Sequence, residues 1–160
     1  MMMQPPDDPK IKRDERLSEL ATLQVRHTDA ANGYDAGLEN ADATMDPVLR
    51  RLSDMHRDCA EQTARILVAH GGEPDPDGSW LSWVHRSVMV ARGMIDGLGA
   101  DVIPGLIDGE KRVLEQLDRV LERTHWTDVD RNALIGQRDR IEAEIAELNA
   151  MKADTGGATS

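Results

Sequence analysis

Three residues far apart in this chain carry side chains suited to binding or proton transfer: His27, His56 and Glu110. Each lies on the apolar stripe of its own helical segment, so all three point towards one interior. Two imidazoles and a carboxylate suit a single divalent ion such as Zn, Fe or Mn. The same residues can instead satisfy one another by hydrogen bonds, with Tyr34, Gln24 and Thr63 as further partners. Counting along the first hairpin sets His27 opposite Ala60, with His56 about one helical turn (~6 Å) away. That mismatch in depth counts against a shared ion.

A two-iron carboxylate centre asks for more. It needs a Glu from each of two helices and a Glu-x-x-His pair from each of two others. Glu122-Arg123-Thr124-His125 has that spacing, but it stands at the end of its helix. Met55-His56-Arg57-Asp58-Cys59 and Arg138-Asp139-Arg140-Ile141 lack it. An enzyme of this kind is therefore not expected and no catalytic residue is assigned. Glu122 and His125 read as a solvated helix end, with His125 near the negative pole. Cys59 follows His56 by three residues, but a Cys–His nucleophile needs an exposed thiolate and a third orienting group. Its apolar neighbours make it a small buried hydrophobe. Asp29, Asp35 and Glu39 read as a solvated face.

The elements that place these residues follow from periodicity. A first helix begins near Asp8-Pro9 or Asp14 and runs to about Ala41, with Leu17, Leu20, Gln24, His27, Ala31, Tyr34 and Leu38 inward. Asp46-Pro47 opens a second, its carboxylate capping and its proline in the first turn. Leu49, Leu52, His56, Cys59, Thr63 and Ile66 form its stripe. The connection of about four residues makes these two helices antiparallel neighbours. Gly71 stops the second helix, and Pro74 and Pro76 forbid its continuation. Ser79 caps a crossover helix at about 80–98, ~28 Å long. A fourth helix starts at Asp101, with Ile103, Ile107, Glu110, Leu114, Leu117 and Leu121 inward. Thr127 and Asp130 make a capping-box-like start for a fifth, whose inward residues are Leu134, Ile141, Ile145 and Leu148. Residues 1–8 and 154–160 read as disordered tails around one domain at 9–153. Trp83 falls off the stripe of Leu81 and Val84. With Trp80 it is a candidate partner surface, since tryptophan anchors interfaces; the alternative is that the Gly71–Gly78 loop folds over it.

Composition sets the limits. At 160 residues the chain suits a single core. Phenylalanine is absent and charged residues make up 31%, so the interior must be Leu, Ile, Val, Met and Ala. Thirty acidic against nineteen basic residues give a net charge of −11, a field that repels nucleic acid. No stretch of ~18 apolar residues exists to span a membrane. A lone cysteine and the absence of an apolar leader suit the cytoplasm. No cofactor is expected beyond the ion considered above, and the partner is a second copy of the chain or another protein.

Gly33-Tyr34, Gly71-Gly72-Glu73-Pro74, Gly78-Ser79, Val84-His85-Arg86, Asp101-Val102-Ile103 and Gly109-Glu110 occur in this order. With that order and spacing, residues 15–125 resemble a bacterial domain-of-unknown-function family of the ferritin-like superfamily. The resemblance implies a ferritin-like four-helix bundle of two antiparallel hairpins with an accessory helix, and no settled reaction. Ser87 departs from the pattern, where the family continues with glycine and an aromatic residue. The expectation is an all-α bundle without catalysis that associates with itself, the alternative being one ion on His27, His56 and Glu110.

Overall fold

The computed structural model describes residues 9–75, 99–123 and 125–157. The expected crossover at 80–98, with Trp80 and Trp83, and the N-terminal tail at 1–8 lie outside the described residues. Among those described, four α-helices follow one another: α1 Pro9–Leu38, α2 Asp46–Ala69, α3 Ile103–Glu122 and α4 Asp128–Gly157. A short 3-10 turn, Ala100–Val102, leads into α3, so this helix begins two residues later than its aspartate suggests. Pro104 sits in its first turn, where a missing N–H costs nothing. α1 packs on α2 and α3, and α4 packs on α3 and α2. The result is an all-α four-helix bundle of two antiparallel hairpins. None of the described helices is long and apolar enough to cross a membrane.

The stripes meet at a common axis. Leu20 and Leu23 from α1, Leu52 and Leu67 from α2, Ile103 and Leu117 from α3, and Leu134, Ile141 and Leu148 from α4 are all fully buried or within 1% of it. Each contributes about 1.5–3 kcal/mol by leaving water. The cross-helix ion pairs Arg51–Glu144 and Arg138–Asp118 are partly exposed, and such pairs contribute at most about 1 kcal/mol. Aliphatic burial therefore holds the bundle together.

The helix ends refine the sequence expectations. At the end of α2, Gly71 adopts φ 84°, its N–H donates to the Val68 carbonyl and Gly72 N–H donates to Leu67. These two bonds satisfy carbonyls that the helix leaves open. An alanine Cβ at Gly71 would also sit 2.9 Å from Arg13 Nη2, a flexible group that can move. Gly71→Ala should therefore cost mainly its left-handed backbone, about 1 kcal/mol, read from the shift of the urea midpoint.

Asp46 does not cap α2. It is the first helical residue and pairs with Arg50 four residues on, while Asp42 Oδ1 accepts from the N–H groups of Thr44 and Met45. The turn before the helix thus holds the entering chain. Thr127 Oγ1 accepts from Asp130 N–H, as a capping residue does, but the Asp130 carboxylate turns to His70. α4 continues to Gly157, so residues 154–157 are helical rather than tail. Extending a formed helix needs no new nucleus, and Thr155 Oγ1 donates back to the Lys152 carbonyl.

Candidate functional site

α1 ends at Leu38, three residues before its expected end. Counting back eleven residues from Leu38 and forward eleven from Asp46 sets residue 27 level with residue 57, not 60. His27 and His56 therefore meet directly, with their Nδ1 atoms 2.9 Å apart and ring centroids 5.2 Å apart. The expected separation of one turn came from a connection counted three residues too short.

Around this contact the interior forms one chain of hydrogen bonds. Tyr34 OH donates to Glu110 Oε1. His56 Nε2 lies 2.8 Å and 3.0 Å from the two Glu110 oxygens. On the other side, His27 Nε2 lies 3.1 Å from Gln137 Oε1. The Gln137 amide nitrogen faces three acceptors: Gln62 Oε1 at 2.7 Å, Thr63 Oγ1 at 3.1 Å and the Cys59 carbonyl at 3.5 Å. Thr63 Oγ1 itself donates to that carbonyl. His27, His56 and Glu110 have no solvent exposure, and Gln137 has 1%.

The tautomers follow from this arrangement. The three acceptors fix the orientation of the Gln137 amide, so its oxygen faces His27 and can only accept. His27 Nε2 must then carry the proton. Burial, and the neighbouring His56 after it, hold the His27 pKa well below its ordinary value, outweighing the favourable Gln137 bond. A neutral His27 leaves a lone pair on Nδ1, and His56 Nδ1 must donate to it. His56 Nε2 and Glu110 then share one proton between them. Wherever that proton rests, the pair sums to no net charge. Burial, and then the Glu110 carboxyl, push the Tyr34 phenol well above its ordinary value, so it stays a donor. Tyr34 thus donates to Glu110, His56 to His27 and His27 to Gln137, whose amide nitrogen donates on to Gln62 and Thr63 of α2.

The structure thus brings His27, His56 and Glu110 together, but does not aim them at one point. His56 turns Nδ1 to His27 and Nε2 to Glu110, opposite edges of one ring. An ion between the two Nδ1 atoms, about 2.0–2.1 Å from each, would not have Glu110 as a ligand. Among the described residues no group of three His, Cys, Asp or Glu side chains has metal-holding geometry. Gln24, considered as a partner of the histidines, instead bonds Thr28 and both backbone groups of Asp75. Gln137 is absent from the expected set, although it stands three residues after Leu134 and four before Ile141, on the same stripe.

Glu122 ends α3 and His125 lies in the following loop, both exposed. Cys59 is buried, and burial pushes its thiol up to about 11, so it does not act as a nucleophile. At the far end of the bundle, Arg16 stacks over Trp126, 5.0 Å from its ring centre, and donates to the His125 carbonyl. His70 sits edge-on to Trp126 and bonds Asp130 at 2.8 Å. This cluster ties α1 and α2 to the loop before α4. Two surface grooves, of about 430 and 330 Å³, lie between α1 and α2 and between α2 and α4. Neither has His27, His56 or Glu110 in its walls.

Compared with known proteins, residues 15–123 match the family model described as "Domain of unknown function (DUF2383)". No curated protein and no solved structure matches the chain.

Proposed function

The chain belongs to the family described as "Domain of unknown function (DUF2383)", and from this and its interior we propose a non-catalytic, ferritin-like bundle that associates with itself in the bacterial cytoplasm. The observation that carries the reading is the self-satisfied core. The polar groups of His27, His56, Glu110 and Gln137 are spent on each other. Among the described residues the one buried side-chain nitrogen or oxygen without a partner is Arg16 Nε, at the far end of the bundle. A substrate or ion entering the centre would have to break bonds already made, at about 1–3 kcal/mol for each group left open. The hairpin–connection–hairpin wiring supports the ferritin-like assignment. The buried, unreactive Cys59 fits a reducing compartment.

A second reading keeps one divalent ion, Fe, Zn or Mn, on His27 and His56 with Glu110 beside them. The contact that favours it is the facing pair of Nδ1 atoms, where an ion could replace the single proton. Elemental analysis of untagged protein separates the two. The expected result is less than about a tenth of an equivalent of metal per chain; near-stoichiometric metal that disappears in His56→Ala would overturn the first reading in favour of the second. Light scattering of the same sample should give a mass above that of one chain.

A further inference from the structure

The two hairpins of this bundle are fixed internally in different ways from how they are fixed to one another. Seven residues, 39–45, join α1 to α2, and five, 123–127, join α3 to α4. Links this short impose antiparallel pairing. Between the hairpins, from Asp75 to Gly99, twenty-three residues intervene, too many for the short-connection rule to set how the hairpins meet. Among the described residues the hydrophobic core is almost wholly Leu, Ile, Val and Met, with Trp126 its one buried aromatic. Aliphatic stripes with a repeat of three and four meet almost as well after sliding one turn, about 5.4 Å. Hydrogen bonds of about 3 Å do not survive such a slide.

We propose that the interior hydrogen-bonded layer is the docking key between the hairpins, with Glu110 and Gln137 as its two teeth. Each helix of the second hairpin supplies one tooth, and each tooth engages both helices of the first. Glu110 on α3 takes Tyr34 of α1 and His56 of α2. Gln137 on α4 takes His27 of α1 and Gln62 and Thr63 of α2. All four inter-hairpin pairings are therefore bonded within about two helical turns of the bundle. The burial of the layer strengthens the key, because a slipped or inverted hairpin leaves buried donors and acceptors without partners. Gln137 lies beyond the stretch matched by the family model, so the key is complete only with α4. Layers of this kind specify one arrangement at some expense of stability.

This inference rests on the non-catalytic reading of the same residues. The test is an all-apolar layer, Tyr34→Phe with His27→Leu, His56→Leu, Glu110→Leu and Gln137→Leu, compared with wild type by backbone amide NMR and light scattering. The expected result is a helical protein with an equal or higher urea midpoint, but with more than one cross-peak for α4 amides or a broadened mass distribution. A single set of cross-peaks with native inter-hairpin contacts and native mass would overturn the proposal. If the five-fold variant does not fold, His27→Leu with Gln137→Leu decides. Multiplicity in α4, with α1 to α3 keeping single peaks, supports the key; one set throughout overturns it. Metal content of the wild-type sample bears on the functional reading alone, so the two can fail separately.

Discussion

Glu110→Ala should lower the stability of the bundle by about 3–5 kcal/mol, the sum expected from buried hydrogen-bonding groups left open and a cavity. For a domain of this size that is a fall in Tm of roughly 6–20 °C. Three losses coincide at this position. The Tyr34 hydroxyl loses its acceptor, His56 Nε2 loses the group that shares its proton, and a fully buried side chain leaves a void. Glu110→Gln should cost far less, below about 1.5 kcal/mol, because its amide oxygen can still accept from Tyr34 and its amide nitrogen can donate to His56 Nε2. Calorimetry of the two variants side by side checks this. Equal losses would mean that volume, not hydrogen bonding, sets the value of Glu110, and the interior chain would lose its claim to importance.

The second large effect is a dependence on pH that His27 should impose. Folding holds its pKa well below 6.5. Below pH 6.5 the unfolded chain therefore binds a proton that the folded chain refuses. More protons on the unfolded side make stability rise with pH, so it is fully present above 6.5 and is lost as the pH falls towards the folded value. The slope is about 1.4 kcal/mol per pH unit, or about 2 kcal/mol between pH 6.5 and 5. The groups facing His27 are His56, Gln137 and, at longer range, Arg140; none supplies the negative charge that would offset the loss. Urea unfolding of wild type and His27→Gln at pH 7.5, 6.5, 5.5 and 5 isolates this contribution from other titrating groups. Parallel stability curves for the two proteins would show that His27 accepts its proton in the fold, and that its Nδ1 is not a lone-pair acceptor for His56.

The two effects differ in origin although they share one chain of bonds. The first measures what happens when a partner is deleted; the second, what happens when a proton is forced in. Both are consequences of a polar layer shut inside an aliphatic bundle.

Much of this was legible in the residues. Periodicity alone placed Leu20, Leu52, Leu117, Leu134, Ile141 and Leu148 inward, because a repeat of three and four marks one face of a helix wherever that helix later packs. It placed His27, His56, Tyr34 and Glu110 inward by the same rule, and that repeat with two short connections set the fold class. Tertiary structure alone decided how these residues face one another. The depth of His27 against His56 depended on where α1 stops, and a three-residue change at a helix end moves a side chain most of a turn around the axis. The role of Gln137 depended on α4 packing beside α2 and facing α1 across the core, a matter of long-range assembly that no local spacing records. Whether His56 gives one nitrogen to His27 and the other to Glu110, or turns both partners to a common point, is a question of ring orientation. Only the packing of all four helices fixes that angle, because each ring edge is set by a residue from a different one.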